Sequence, residues 1–350
     1  MLDYIVVGLG LAGAAFCETL KKNKKNFLVI SDDSQTSSKV AGGLSNPVIL
    51  KRFTLAWKAD MLMPVSRKFY EELEKELNND LIVDQPILRK FSSSEEQNLW
   101  FEASDKIFLR DYLSSDLVRN NNKALNAPFD FGKLNGAYRL KTETFLNAFR
   151  KRLIASGNFI NETFDYDDLN IKDAAVSYRN ISAKKIVFAE GFGLEKNPYF
   201  NYLPMQGLKG EYILIESKEL KESKAIKSSV FVIPFDKNLY LVGANYDPKD
   251  KDNEPSEDTK QELVGKLNKV VNCSYQVVGQ VAGVRPTVKD RRPLMGSHPK
   301  YPHLSVLNGF GSHGVMIAPW AAQELFSYLE EGKKLIKEVD IQRFSNLQEN

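Results

Sequence analysis

The first thirty residues constrain this chain most. A short apolar run, Tyr4 to Val7, leads into Gly8, Gly10 and Gly13 in the spacing G-x-G-x-x-G, and Ala12 to Leu20 then reads as a helix closed by basic residues Lys21 to Lys25. Phe27 to Ile30 supplies a second buried strand. Strand, tight turn, helix and strand make a βαβ unit, which implies a parallel sheet with a right-handed crossover. The first glycine permits the turn, the second lets the main chain approach a pyrophosphate, and the third lets helix and strand pack closely. The unpaired amides at the helix start, Leu11 and Ala12 among them, then face the phosphates with the positive end of the helix dipole. A ribose-binding acid is expected about 20 residues on, at the end of the second strand. Ser31, Asp32 and Asp33 lie there, with Asp32 favoured over Asp33.

Composition excludes several alternatives. With 350 residues, 43% hydrophobic and 27% charged, the chain can bury a large core, most simply in two domains. Lys+Arg 48 against Asp+Glu 45 leaves a formal charge of +3, too little for a global field that would draw it to nucleic acid, though a local basic patch stays open. Two cysteines, Cys17 and Cys273, and three histidines grouped at His298, His303 and His313 rule out a disulfide scaffold and multi-histidine metal centres, so no metal ligands are expected. The uncharged stretch Tyr4 to Cys17 is shorter than the roughly 18 apolar residues of a membrane span. It also lacks a basic leader region. A cytoplasmic protein is the expectation.

Further along, Leu62, Val65, Phe69, Leu73 and Leu77 recur on one helical face after Ala56, with a kink expected at Pro64. The stretch 92–135 has poor periodicity and reads as an irregular insertion. Thr142 reads as the N-cap of a helix burying Phe145, Phe149 and Leu153 and closed by Gly157. Ile186 to Ala189 is a strand, followed by a turn at Glu190 and Gly191. Strand patterns dominate from Gly210 to Gly243, suggesting an antiparallel sheet. The acidic stretch Asp247 to Asp258 reads as a solvated loop before a helix from about Glu257. Leu304 to Leu307 is a last strand, and after Gly311, Ser312, His313, Gly314 and Val315 a final helix buries Ala318, Ala321, Ala322, Leu325 and Leu329. That glycine turn opens a helix, so its amides suit a cofactor that accumulates negative charge. His313 reads as cofactor-adjacent rather than as a general base.

Ala41, Gly42 and Gly43 after the second strand, Phe188 to Gly191, QGLKGEYI around Gly210, PFDKNLYLVGANYDP from Pro234, and VAGVRPTVKDRRPLMG followed by LNGFGSHGVMIAP together resemble the D-amino-acid oxidase superfamily of flavoproteins, most closely its glycine oxidase branch. The resemblance spans most of the chain. It implies an α/β fold: a Rossmann-like FAD-binding domain with a parallel sheet (1–80, 140–205 and 280–350) interleaved with an antiparallel-β substrate domain (81–139 and 206–279). It implies noncovalent FAD, with Gly42, Gly43 and Gly191 joining Gly8 to Gly13 and Gly311 to Val315 as its contacts. The implied reaction is hydride transfer from the C–N bond of an amino acid or secondary amine, followed by electron transfer to oxygen or another acceptor.

In that resemblance Arg285, in GVRP, is the substrate carboxylate anchor, a role its planar fork suits. The branch carries a second arginine where this chain has Ser312, and a phenol where it has Phe231. Glycine itself is thereby disfavoured, and a different or larger amine is expected. Lys51 and Arg52, in NPVILKRF, sit at the edge of the site, bind an anionic substrate, or head the next helix as solvated charges; whether Lys209 reaches the pocket stays open. NPVILKRF and GFGSHG are also similar to the oxidase domain of the bacterial bifunctional tRNA-wobble-uridine modification enzymes, which removes carboxymethyl from a carboxymethylaminomethyl group. The competing readings are that activity on tRNA, a nicotinamide-dependent dehydrogenase, and a silent FAD-binding protein.

Overall fold

The computed structural model describes residues 1–172 and 175–347. Its first sheet is built on Leu2–Val7, whose Tyr4, Ile5, Val6 and Val7 are all buried. Both faces are covered, as parallel sheets require. Tyr4 and Val6 pack with Phe16 and Leu20 of the helix Leu11–Lys22 and with Ala318, Ala322 and Leu325 of the helix Gly314–Glu331. Ile5 and Val7 point the other way, onto Ile186, Phe188 and Val306. This period-two division follows from strand geometry. Leu2–Val7 pairs in parallel with Phe27–Ile30 on one side and Ile181–Phe188 on the other. Phe159–Ile160 and Leu304–Asn308 extend the parallel set at either end.

The second sheet has the order Gln276–Val288, Met205–Glu216, Leu239–Gly243, Phe231–Asp236, Ala225–Lys227, Ile87–Lys90, Phe131–Leu134, Leu113–Val118. Every pairing is antiparallel except Ala225–Lys227 with Ile87–Lys90. The chain therefore builds a mixed α/β fold and passes between these two eight-stranded sheets more than once.

Several local expectations are corrected. Stretch 92–135 is not irregular: it forms the helix Ser94–Ser104 and the strands Leu113–Val118 and Phe131–Leu134. The Ser93 hydroxyl caps the helix, accepting from the Glu96 N–H at 3.2 Å. Periodicity is weak because that helix buries only Trp100, Ala103 and Ser104. Trp100 is its one large buried side chain, set edge-on against Phe53 and Phe91. Thr142 is not an N-cap; Lys141 takes that place, and the Thr142 hydroxyl donates to the Ala41 carbonyl at 3.2 Å, tying the helix Thr142–Ala155 to the loop before Gly42. The helix Ala59–Leu77 runs unbroken through Pro64, and it buries Leu62, Met63, Tyr70 and Leu73 while leaving Val65 exposed.

The acidic stretch 247–258 is more than a solvated loop. Lys209 is 1% exposed, and Asp250 and Asp252 accept from its ammonium at 2.5 and 2.6 Å. These bonds occupy Lys209, so it does not serve the cavity. From the same loop Lys251 donates to the Gly207 carbonyl and Asn253 to the Ser34 carbonyl at 3.0 Å, strapping the loop across the two sheets. Lys209→Met would leave three acidic side chains without their cation: Asp250, Asp252 and the buried Glu211, 3.9 Å from the ammonium. Asp250 and Asp252 can turn to solvent, so we expect a loss of about 1–2 kcal/mol rather than the larger penalty of a fully buried pair. Urea unfolding measures it, and faster proteolysis between residues 246 and 256 would accompany it.

Among the described residues, no helix is long and apolar enough to cross a membrane, and no group of three or more His, Cys, Asp or Glu could hold a metal ion.

Candidate active site

A cavity of about 2380 Å³ opens at the C-terminal ends of the first sheet's strands, where Val7, Ile30 and Asn308 line it, and continues to the face of the second sheet at Tyr212, Phe231 and Arg285. Ordinary small-ligand pockets enclose about 300–1,000 Å³. This one has room for a dinucleotide and a second molecule, at the position where open α/β sheets bind ligands.

The glycine turn lies at one end. Gly8 has φ +97°, and a Cβ there would lie 2.5 Å from the Ala189 carbonyl oxygen. At Gly13 a Cβ would lie 2.0 Å from the Gly8 carbonyl oxygen. Only hydrogen fits at either place, so the helix starts hard against the turn. Gly10 is the N-cap, without a side-chain cap, and the first turn holds no acidic residue. The amides of Ala12 and Gly13 have no partner within the helix and remain available for a phosphate. Two hydroxyls line the same turn: Ser31 accepts from the Leu9 N–H at 3.1 Å and Ser38 from the Leu11 N–H at 3.3 Å, so the Leu11 amide, expected to be unpaired, has a side-chain partner.

Asp32 and Asp33 part company at the end of the second strand. Asp32 accepts from the Ser34 hydroxyl at 2.6 Å and the Thr163 hydroxyl at 2.7 Å, and lines the cavity. Asp33, more exposed, is paired with Lys39 at 2.5 Å and Arg150 at 2.8 Å. Beside Asp32 stands Glu190, a residue read from sequence only as part of a turn. Tyr166 donates to it, and Asn197 donates at 2.8 Å. Burial pushes its carboxyl up to about 7 despite those donors, with the Asp32 charge adding to the shift. A carboxyl raised in the folded state contributes stability at low pH and loses it as pH climbs toward its folded value. Glu190→Gln should therefore stabilise the apoprotein on the order of 1–2 kcal/mol at pH 8 and hardly at all at pH 5. Thermal melts at the two pH values test this.

At the other end, Gly42 and Gly43 are buried, with the Tyr212 hydroxyl and the Ile233 side chain against Gly42. The turn Gly311 to His313 leads into the helix Gly314–Glu331, with His313 at the N-cap and making no side-chain cap bond. The His313 carbonyl accepts from Met316 and Ile317, which leaves the amides of Gly314 and Val315 for a ligand. Burial holds the His313 imidazole below its usual range, so it stays neutral. Ser312 is exposed, and Gly191 borders the cavity.

Arg285 lies flat against the main chain of Gly210, where a Cβ would fall 1.9 Å from Nη2. Its guanidinium stands 4.8 Å from the centre of the Tyr246 ring. Its main-chain contacts are long, 3.4 Å from Nη1 to each of the Lys209 and Asn245 carbonyls, the Tyr212 hydroxyl also hydrogen-bonds its side chain, and no carboxylate pairs with it among the described residues. It is thus a cavity-lining cation with hydrogen-bonding capacity to spare. Tyr212 and Tyr246, not singled out from sequence, bring phenols to this end in place of the one that Phe231 lacks; in sequence they look like any strand or loop tyrosine. Arg52 and Lys51 are exposed on the rim, between the short strands Val48–Ile49 and Thr54–Leu55.

These features fit FAD. A glycine turn with free helix amides, a neighbouring aspartate and a second helix N-terminus lie along one cavity.

Comparison with known proteins agrees. Glycine oxidase of Bacillus subtilis is 21% identical over 344 residues, covering 91% of this chain and 90% of that one. A tRNA 5-methylaminomethyl-2-thiouridine biosynthesis bifunctional protein of Idiomarina loihiensis is 25% identical over 163 residues, which cover 44% of this chain and only 26% of that protein. The crystal structure of iminodiacetate oxidase from Chelativorans sp. BNC1 superposes with a TM-score of 0.78 at 18% identity, covering 98% of both chains. The family model for FAD dependent oxidoreductases, DAO, matches residues 3–328, which decides between flavin and nicotinamide: the chain belongs to this FAD-dependent oxidoreductase family.

Proposed function

We propose that this oxidoreductase oxidises the C–N bond of an amine that bears a carboxylate, an amino acid or an N-carboxymethyl amine. Arg285 carries the reading: an arginine fork without a carboxylate partner faces a cavity whose other end fits a dinucleotide. Gly8 to Gly13 and Asp32 would hold the adenosine and phosphate end of FAD, with Gly42, Gly43 and the amides of Gly314 and Val315 near its ring. Bound there, FAD supplies the two-electron acceptor that turns amine into imine, which water hydrolyses. The chain's own part is orientation. Arg285 binds both carboxylate oxygens and so fixes the α-carbon, Tyr212 and Tyr246 narrow the space around it, and the neutral His313 adds no competing charge.

Mixing the flavin-loaded protein anaerobically with a panel of amino acids and N-carboxymethyl amines tests the reading. Bleaching of the flavin by at least one carboxylate-bearing amine supports it, and a panel without bleaching refutes it.

A second reading, removal of carboxymethyl from a modified wobble uridine in tRNA, draws on the lysines and arginines of the cavity rim. Nucleoside mass spectrometry of carboxymethylaminomethyl tRNA before and after incubation distinguishes it.

A further inference from the structure

Four cations converge on the cavity at the edge away from the glycine turn: Lys51, Arg89, Lys227 and Lys266. Two of them have acidic partners, since Arg89 donates to Glu96 and Lys266 to Glu262. Lys51 and Lys227 have no carboxylate partner among the described residues. Lys227 is half-buried, its ammonium 4.6 Å from the centre of the Phe231 ring. Burial first, then the charges of Arg89, Lys266 and Lys51, push it down to about 8. Gathering like charges around a half-buried ammonium is unfavourable unless something anionic relieves it.

The sheet register places this group relative to the anchor. Tyr212 is partnered with Gly243, Gly243 with Phe231, Phe231 with Lys227, and Lys227 with Arg89, forming one row across four strand pairings. Partners in such a row share a face of the sheet. Arg285 lies against Gly210, two residues from Tyr212 on that face. At about 4.8 Å per strand, Phe231 stands roughly 10 Å from Tyr212, and the two residues from Tyr212 to Gly210 add about 7 Å along the strand, so the ammonium above Phe231 stands roughly 12 Å from the anchor. That span exceeds the reach between the two carboxylates of a small amino diacid.

We propose that Lys227, with Lys51, Arg89 and Lys266 around it, forms a subsite for an anionic group, phosphate or carboxylate, carried about 12 Å from the carboxylate that Arg285 binds. The proposal rests on the amine-oxidising reading and adds the substrate class: an extended amine with a second anion. Such an anion could belong to a small phosphorylated or dicarboxylic amine or to the phosphate of a nucleic acid.

The test uses the holoenzyme and two synthetic amines, N-(carboxymethyl)hexylamine and N-(carboxymethyl)-6-aminohexyl phosphate. Calorimetry should show the phosphate compound binding at least about tenfold more tightly, the worth of one hydrogen bond to a charged group. Lys227→Gln should bring the ratio of the two dissociation constants close to one, and Lys227→Arg should preserve most of it. Both variants should keep the flavin spectrum. Equal binding of the two compounds by the parent protein, or a ratio that survives Lys227→Gln, overturns the subsite. Flavin bleaching in the same samples reports separately on the chemistry: preferential binding of the phosphate compound without bleaching by either refutes amine oxidation and leaves the subsite standing. Competition by a single-stranded RNA of about ten nucleotides, lost in Lys227→Gln, assigns the anion to nucleic acid. RNA that does not compete assigns it to the small substrate's own group.

Discussion

Gly13→Ala should purify without flavin, retaining less than about a tenth of the parent protein's FAD and melting well below it. The new methyl carbon would lie 2.0 Å from the Gly8 carbonyl oxygen and 3.1 Å from its carbon. Both are main-chain atoms, and Gly8 is itself pinned, its amide donating to the Ile30 carbonyl at 2.9 Å. No rotamer change relieves the overlap. The helix Leu11–Lys22 must shift away from the strand, carrying the free amides of Ala12 and Gly13 out of line with a phosphate. It also loosens Phe16 and Leu20 from Tyr4, so the strain of a few kcal/mol is felt in the core as well as at the site. Gly265→Ala is the matched control. Gly265 sits inside the helix Glu257–Leu267 with nothing within 4 Å of its would-be Cβ, so alanine there should keep flavin and add about 0.5–1 kcal/mol. Flavin content from the visible spectrum, read beside thermal melts, separates the two. A yellow Gly13→Ala protein would show that the turn does not set phosphate binding.

The contrast between these glycines shows what sequence could and could not reveal. Gly8, Gly10 and Gly13 were legible because a fixed spacing followed a buried strand and opened a helix, and chain neighbours determine that geometry. The parallel pairing of Leu2–Val7 with Phe27–Ile30 follows from the same unit. By contrast, the helix Ser94–Ser104 presents only a narrow buried stripe, so its pattern was lost among polar residues although Trp100 is fully buried. Whether Lys209 reaches the pocket stays open in the sequence because its partners Asp250 and Asp252 lie some 40 residues away, in a stretch whose acidity reads as solvation. Tyr212, Tyr246, Glu190 and Lys227 were missed for a related reason. Their roles depend on which strands lie side by side, and an unpaired lysine is indistinguishable in sequence from a solvated one. The near-neutral net charge concealed the local gathering of cations around Lys227, since charge balance over 350 residues says nothing about one rim of one cavity.

Arg285→Ala should lower kcat/KM for a carboxylate-bearing amine by about 10²–10³, the loss of roughly 3–4 kcal/mol expected when a charge-assisted, two-pronged contact is removed. The effect should fall on the concentration needed to half-saturate flavin reduction, with the flavin spectrum intact, because Arg285 stands at the far end of the cavity from the glycine turn. Arg285→Lys should recover only a small part. It restores the charge, but an ammonium cannot reproduce the planar fork that lies against Gly210 and stacks on Tyr246. Gly210→Ala reaches the same anchor without changing any charge: its Cβ would fall 1.9 Å from Nη2 and 2.2 Å from Cζ, so the guanidinium must leave its bed. We expect a loss in the same direction but smaller, since the side chain is flexible and can settle elsewhere. An amine that lacks the carboxylate separates anchoring from general damage. Its weak reaction should be nearly indifferent to Arg285→Ala, and a parallel fall for both amines would mean that the arginine maintains the site's shape rather than holding the substrate.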